Sequence, residues 1–180
     1  MRYAYNTQLK SLPLKGRLWK GKQTTSIYGD RAYAAFYKGY NCCQSVAVAF
    51  AEEMGMTEKQ VLQLSAGFGG GFGRMREVCG AFSGITLVLG ALYGSDDPAK
   101  KTALYTEVQA LAAEYKTQNG RGSLICRELL GLKQAEGSPV ASPRTEEYYK
   151  KRPCPELCRL AADILGAYIE AHPRKNEVQL

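Results

Sequence analysis

Histidine is almost absent from this sequence, which has a single one, His172, among 180 residues. A lone histidine excludes the zinc sites that need two or three histidines, and it leaves the usual Ser-His-Asp triad without support. His172 stands between Ala171 and Pro173 near the C-terminus. We therefore expect it at the surface rather than in a catalytic role.

Several short motifs are missing as well. No C-x-x-C occurs, which excludes a thioredoxin-type motif, and no C-x-x-C-H occurs, which leaves covalent c-type haem unsupported. The phosphate-loop motif G-x-x-x-x-G-K-[ST] is absent too. The glycine run "GFGGGFG" contains no G-x-G-x-x-G and follows a predicted helix rather than a strand, so it does not indicate a dinucleotide site.

Long apolar runs are lacking. The longest apolar stretch, "GITLVLGALYG", is far shorter than the ~20 residues that span a bilayer. The N-terminus shows no charged start followed by an apolar core and a small-residue cleavage site, so we expect no signal peptide. These features favour a cytoplasmic protein with no membrane partner, where cysteines serve more often as metal ligands or redox groups than as structural bridges.

The positive charge is concentrated at one end. The formal net charge is +7, and residues 1–31 hold seven Lys and Arg against Asp30 alone, so the remaining chain is nearly neutral. A basic arm can bind nucleic acid or an acidic surface, and an interaction module that works through this arm is one hypothesis. Because no nucleic-acid-binding motif accompanies the charge, we favour a solvated tail or an arm that packs on a second subunit.

Helical patterns follow the arm. The stretch "NCCQSVAVAFAEEMG" predicts a helix with Asn41 as its N-cap and Gly55 as its stop. The next helix opens on Thr57 and Gln60, which have the spacing of a capping box.

A buried helix is predicted from Cys79 to about Tyr93, after the glycine run at residues 67–73. Glycines cost helix stability, about 1 kcal/mol each against alanine, and are tolerable where another backbone packs very close. The glycines spaced by four are Gly80 with Gly84 and Gly90 with Gly94.

The second half of the chain is also helical. A long amphipathic helix runs from about residue 95 to Gly120, a short one ends at Gly131, and the last begins at Cys154 and stops before Pro173. Residues 132–145 contain two Ser-Pro steps and predict a mobile loop. No alternating strand pattern occurs. We predict an all-α, compact helical bundle over residues 32–180 behind an irregular basic arm at residues 1–31.

Six cysteines carry the remaining chemical interest. Four of them stand where predicted helices begin. At a helix start, the free N–H groups and the positive end of the helix dipole stabilise a thiolate or an anionic sulfur-rich cluster. A single free cysteine often packs only as a small hydrophobe, but four at helix starts favour one shared sulfur site. The four are Cys42, Cys79, Cys126 and Cys154; the other two, Cys43 and Cys158, are expected to pack, although Cys158 lies one turn from Cys154.

The same stretches resemble a known family, the redox-active proteins named for a C_GCAxxG_C_C cysteine signature. The matching segments are "NCCQSV", "SAGFGGGFGR", "VCGAFSG", "CRELLG" and "RPCPELC", in the expected order over about residues 40–170. One departure is "VCGA", where the signature has glycine before the cysteine. The resemblance implies that the signature cysteines are Cys42, Cys79, Cys126 and Cys154.

Three uses of the four cysteines remain open. An iron–sulfur cluster for electron transfer is favoured, because four thiolates are its usual ligands; the family is also similar to split-Soret cytochromes, which carry such a cluster besides haem. Metal-free thiol–disulfide chemistry, with Cys79 attacking and a neighbouring cysteine resolving, is the first alternative. A structural Cys₄ zinc site is the other. The protein is accordingly an oxidoreductase or an electron-transfer protein, or a zinc domain without redox activity.

The predicted site has two parts. Metal ligands are expected at the four signature cysteines, of which Cys79 and Cys126 are the predicted catalytic pair. The glycine run supplies close backbone donors beside them, and neighbouring arginines supply positive charge. The cofactor-binding residues predicted from this run are Gly69, Gly70, Gly71 and Arg74, with Arg76 and Arg127 as further charges. An unidentified redox partner and a homodimer are the expected partners; nucleic acid is not.

Overall fold

The structure is a computed structural model that describes residues 26–134 and 138–173. The fold is all-α, as predicted, and within these residues the β pairing is an isolated bridge between Val78 and Ile125. The α-helices are α1 (Ile27–Tyr37), α2 (Cys42–Val48), α3 (Glu58–Leu64), α4 (Gly80–Tyr93), α5 (Lys101–Gln118), α6 (Cys126–Leu129), α7 (Glu146–Lys151) and α8 (Cys154–Ala171), with 3₁₀ turns at Ala66–Phe68 and Pro98–Lys100.

Helix α8 is the centre of the bundle. It packs against α1, α2, α4 and α5, and one face of its 18 residues is buried in the core. Its apolar positions recur at helical spacing, so burying that face drives the helix onto its neighbours. The cysteine at its first position is therefore carried into the middle of the molecule.

Helix α1 was not among the predicted elements. Ser26 caps it by accepting from the Gly29 N–H, and the Ser26 N–H and hydroxyl both donate to Asp163 Oδ1 of α8, at 2.8 and 2.6 Å. The helix begins at Ile27, so the last residues of the predicted basic arm belong to it. The rest of the arm, residues 1–25, lies outside the described residues.

Helices α2 and α4 approach each other through glycine. A Cβ placed on Gly84 would lie 2.7 Å from Val46 Cβ, and one on Gly80 would lie 3.0 Å from Cys42 Cβ. The close backbone approach predicted from the glycine spacing is thus made within one chain. The predicted homodimer stays a prediction.

The predicted caps are confirmed, but the helix after Asn41 is shorter than expected. Asn41 with Gln44, and Thr57 with Gln60, form complete capping boxes. Helix α2 ends at Val48 because the following N–H groups donate to carbonyls three residues back instead of four, which tightens the chain into turns.

Helix α7 was also missed. Thr145 caps this helix of six residues, and its four charged side chains form two ion pairs one turn apart. It falls directly after the predicted loop at 132–145, of which residues 135–137 lie outside the description. Among the helices described, none is both long and apolar enough to cross a bilayer.

Candidate functional site: a buried cysteine cluster

The four signature cysteines all stand at helix starts, as the sequence predicted. Cys42, Cys126 and Cys154 are the first residues of α2, α6 and α8, and Cys79 is the N-cap of α4. All six cysteines lie in the described residues and all have free thiols. Four separate elements therefore deliver sulfur atoms to the interior of one bundle.

Cys42 is the centre of the cluster. The thiols of Cys154 and Cys158 lower the pKa of Cys42, and Cys154 has the larger effect. Cys158 Sγ also lies 3.6 Å from the Cys42 carbonyl oxygen, to which it donates. Cys42 thus stands between two thiols that come from successive turns of α8.

The surroundings of Cys42 favour its thiolate. The hydrogen bonds from Cys154 and Cys158 hold the pKa of Cys42 well below its usual range, against the effect of burial, and the positive charge of Arg144 lowers it further. Cys42 is also partly exposed, whereas the other five cysteines are buried. The lowered pKa and the partial exposure of Cys42 both favour it as the attacking thiol.

Cys79 and Cys126 lie at opposite ends of a short stretch of antiparallel backbone pairing. The Cys79 N–H donates to the Leu124 carbonyl at 2.7 Å, and the Cys126 N–H donates to the Glu77 carbonyl at 2.6 Å. These bonds flank the bridge between Val78 and Ile125. A short ladder therefore fixes the entrance of α4 against the entrance of α6.

The environment of Cys79 favours a neutral thiol. Burial raises the pKa of Cys79 to about 12, and the charge of Cys42 acts in the same direction. Its sulfur lies 3.6 Å from the hydroxyl of Tyr115, which is completely buried in α5. The low-pKa thiol expected at Cys79 is therefore found at Cys42. The catalytic roles of Cys79 and Cys126 stay predictions.

Cys126 faces a buried arginine. Burial raises the pKa of Cys126, while Arg76 opposes this through its charge and a hydrogen bond to the sulfur, and Arg152 opposes it through its charge. Arg76 is 2% exposed and has a φ of +63°, and Arg74 has a φ of +73°. Such backbone costs on the order of 1–3 kcal/mol per residue and tends to cluster at functional sites.

The glycine run lies against the cluster as predicted from the sequence, but its members differ. A Cβ on Gly71, whose φ is +71°, would lie 2.7 Å from Cys126 Cβ, so this glycine lets the loop touch the cysteine. Gly70 lies beside the Arg76 guanidinium and Gly69 beside Asn41. Arg74 donates to the Ser138 carbonyl and the Ser142 hydroxyl. Cofactor contact by Gly69, Gly70, Gly71 and Arg74 stays a prediction.

Two cysteines, Cys43 and Cys158, were expected mainly to pack, and the structure places one of them in the cysteine cluster. Cys43 is fully buried in the core, where burial raises its pKa to about 12, as expected of a packing residue. His172 is exposed, as expected. Arg127, which was predicted as a further positive charge of the site, pairs with Glu77 at 3.0 Å. Cys158, by contrast, is a direct neighbour of Cys42. Its position four residues after Cys154, on the same face of the helix, was the sequence feature that indicated this.

The sulfur atoms of the described residues are not arranged as a set of metal ligands. Within residues 26–134 and 138–173, no three Cys, His, Asp or Glu side chains are arranged so that they could hold a metal ion. As placed, the described side chains fit neither an iron–sulfur cluster nor a zinc ion. The iron–sulfur ligands predicted at the four signature cysteines stay a prediction.

The described residues thus form an all-α bundle with a group of helix-start cysteines and flanking arginines. The chain matches the family described as "Putative redox-active protein (C_GCAxxG_C_C)" over residues 40–168. It belongs to that family. No curated protein and no solved structure matches the chain.

Proposed function

We propose that this protein is a thiol–disulfide redox protein in which Cys42 attacks and Cys154 resolves. The proposal is supported by the packing of the partly exposed Cys42 on α8, where Cys158 Sγ lies 3.6 Å from its carbonyl oxygen and the buried Cys154, one turn earlier, lowers its pKa. Thiol–disulfide exchange needs a thiolate with access to its substrate and a second thiol within reach of the same sulfur. Cys42 and Cys154 supply these two requirements.

The proposed reaction reduces a substrate disulfide. The Cys42 thiolate attacks one sulfur of R–S–S–R, forming a Cys42–S–S–R mixed disulfide and releasing one thiolate, RS⁻. That thiolate takes up the Cys154 proton, and the Cys154 thiolate then attacks the Cys42 sulfur and releases the second RS⁻, which takes a proton from water. The substrate gains two electrons, and the protein is left with a Cys42–Cys154 disulfide.

Arg144 supports this reaction as a positioning residue. Its guanidinium donates to the Tyr40 carbonyl at 3.0 Å and lies 4.4 Å from the centroid of the Phe36 ring and 4.7 Å from that of Tyr148. These contacts fix a positive charge beside Cys42, where it favours the thiolate before attack.

Metal analysis combined with thiol titration tests the proposal. The protein is purified anaerobically, analysed for iron, zinc and acid-labile sulfide, and then treated with one equivalent of diamide. We expect a colourless protein that loses two titratable thiols per chain in the wild type and none in Cys42→Ser. Cys43→Ser is the matched control and should lose two.

An iron–sulfur centre is the second candidate. It is favoured by the position of four cysteines at helix starts in one bundle, although the sulfurs would have to move closer together to share a metal ion. Cys₄ ligation is the usual requirement for such a cluster. A brown protein with stoichiometric iron and sulfide, lost on changing any signature cysteine, would replace the thiol proposal with this one. Zinc alone would point to a structural site.

A further inference from the structure

A cavity opens next to the cysteine cluster. Its volume is about 490 Å³, which is in the range of small-molecule sites. It is lined by residues that follow α6, by the residues that precede α7, and by α7 itself. Its walls combine apolar side chains, hydroxyls and two cations, including Leu130, Leu132, Thr145, Tyr148, Lys151 and Arg152.

The cavity has an excess of positive charge. Lys151 forms an ion pair with Glu147 at 2.8 Å, and both line the cavity. Arg152 has no carboxylate partner among the described residues and instead lies 4.8 Å from the centroid of the Tyr148 ring. A cation without a counter-charge in a concave, partly apolar site favours an anionic ligand.

Two residues of the cavity wall connect it to the sulfur cluster, although no cysteine lines it. Arg152 lines the cavity, stands two positions before Cys154, and acts by its charge on Cys126. Tyr148 also lines it, and its ring contacts the guanidinium of Arg144, the residue whose charge acts on Cys42. A molecule that contacts Arg152 in the cavity is thus two residues along the chain from Cys154.

We propose that this cavity binds a low-molecular-weight disulfide whose short apolar chains carry carboxylates, and so selects the substrate of Cys42. Arg152 and Lys151 face the carboxylate, while Leu130 and Leu132 contact the chain. The inference rests on the proposed function for the reaction, but the binding itself does not need that reaction. Binding and chemistry can therefore be tested separately.

Binding is tested with suberate, a dicarboxylate in which two CH₂ groups replace the sulfurs of 3,3′-dithiodipropionate. Titration calorimetry of the full chain should show binding that weakens about tenfold in Arg152→Gln, since a charge-assisted hydrogen bond is lost. Lys151→Gln should weaken it too, because Glu147 then meets the ligand without its partner.

Lys150→Gln is the matched control for the cavity. Lys150 stands on the same helix and pairs with Glu146 at 2.6 Å, as Lys151 pairs with Glu147, but it does not line the cavity. Suberate binding should be unchanged in this variant. Equal losses in the Lys150 and Lys151 variants, or no suberate binding in the wild type, would overturn the proposed site.

Reaction rates test whether the cavity selects the substrate. Three disulfides of similar size differ in charge: 3,3′-dithiodipropionate is anionic, 2-hydroxyethyl disulfide is neutral and cystamine is cationic. The reduced wild type should prefer the anionic compound, with saturation, and Arg152→Gln should lower that rate about tenfold while leaving the neutral one within about twofold. No charge preference would overturn the inference. Suberate binding without any disulfide reduction would instead overturn the proposed function alone.

Discussion

Two adjacent cysteines show how strongly local surroundings set thiol chemistry. Cys42 is partly exposed and receives hydrogen bonds from two thiols, so its pKa is lowered, whereas Cys43 is fully buried and its pKa is raised to about 12. One step along a helix turns the side chain by about 100°, from the sulfur cluster into the core. Position on the helix, rather than residue type, distinguishes the thiol proposed to react from the packing one.

The lowered pKa of Cys42 predicts selective alkylation. Iodoacetamide should modify Cys42 in the native protein, and its rate should persist below pH ~8.5, where an ordinary thiol becomes protonated. Cys154→Ala should shift this pH profile upward by removing the principal hydrogen bond, and Arg144→Gln should shift it by a smaller amount. The measurement is the adduct mass against pH; a wild-type profile with an ordinary cysteine pKa would contradict it.

The sequence predicted the signature residues better than their partners. Helix-start patterns were sufficient to group the four signature cysteines: Cys42 follows a cap, Cys79 and Cys154 precede a glycine and a proline, and Cys126 falls in the first turn of a short predicted helix. Arg144 could not be found this way, since it lies in a segment without periodicity and reaches the site only through the packing of its guanidinium on Phe36 and Tyr148.

At the scale of the helix, close packing of α2 on α4 positions Cys42. Gly84 is the closest point, because a Cβ there would lie 2.7 Å from Val46 Cβ, while one on Gly90 of the same helix would meet nothing within 4 Å. The two glycines thus have opposite roles in one element. Gly84 permits the close contact with α2. Gly90 makes no such contact, so an alanine there would favour the helix without a clash.

This difference predicts opposite effects of the same substitution. Gly84→Ala should lower the free energy of unfolding by about 1–3 kcal/mol through overpacking. Gly90→Ala should raise it by about 0.5–1 kcal/mol, because alanine favours the helix. Urea denaturation measures both. Similar effects of the two changes would show that α2 does not pack on Gly84.

The helices missed by sequence analysis have a common cause. Helix α1 follows the basic arm and α7 is short and largely charged, so neither shows a long apolar stripe. Tertiary contacts hold them instead: Ser26 binds Asp163, and Tyr149 stacks on Tyr37 at 4.6 Å. Helices with marked caps or glycine stops, such as α3 and α4, were predictable because those signals are local.

At the scale of the whole molecule, buried thiols link stability to pH. Cys43 and Cys79 have pKa values of about 12 in the fold, above the ~8.5 of an unfolded chain. Above pH 8.5 the unfolded chain releases these protons while the folded chain keeps them, so stability is full below pH 8.5 and falls as pH rises toward 12.

The free energy of unfolding should therefore fall by about 1.4 kcal/mol per pH unit for each such thiol between pH 9 and pH 12. Cys43→Ala should reduce this slope by one thiol's share, although it removes a small buried side chain. Urea denaturation across that pH range, in the presence of reductant, measures the slope. An unchanged slope in Cys43→Ala would contradict the raised pKa of Cys43.

The basic residues are unevenly distributed over the whole chain. The basic residues at 1–31 lie mostly outside the described structure, whereas single arginines act on the buried thiols: Arg76 lowers the pKa of Cys126 and Arg144 lowers that of Cys42. The cytoplasmic location, the redox partner and the role of the arm stay predictions.

Peptide mapping after mild oxidation tests the central claim most directly. The anaerobically purified protein is treated with one equivalent of diamide, the remaining thiols are blocked, and the digest is analysed by mass spectrometry without reduction. We predict a cross-linked pair that joins the peptide containing Cys42 to the one containing Cys154. Cys42 recovered as a blocked free thiol, or joined only to another protein molecule, would contradict the account.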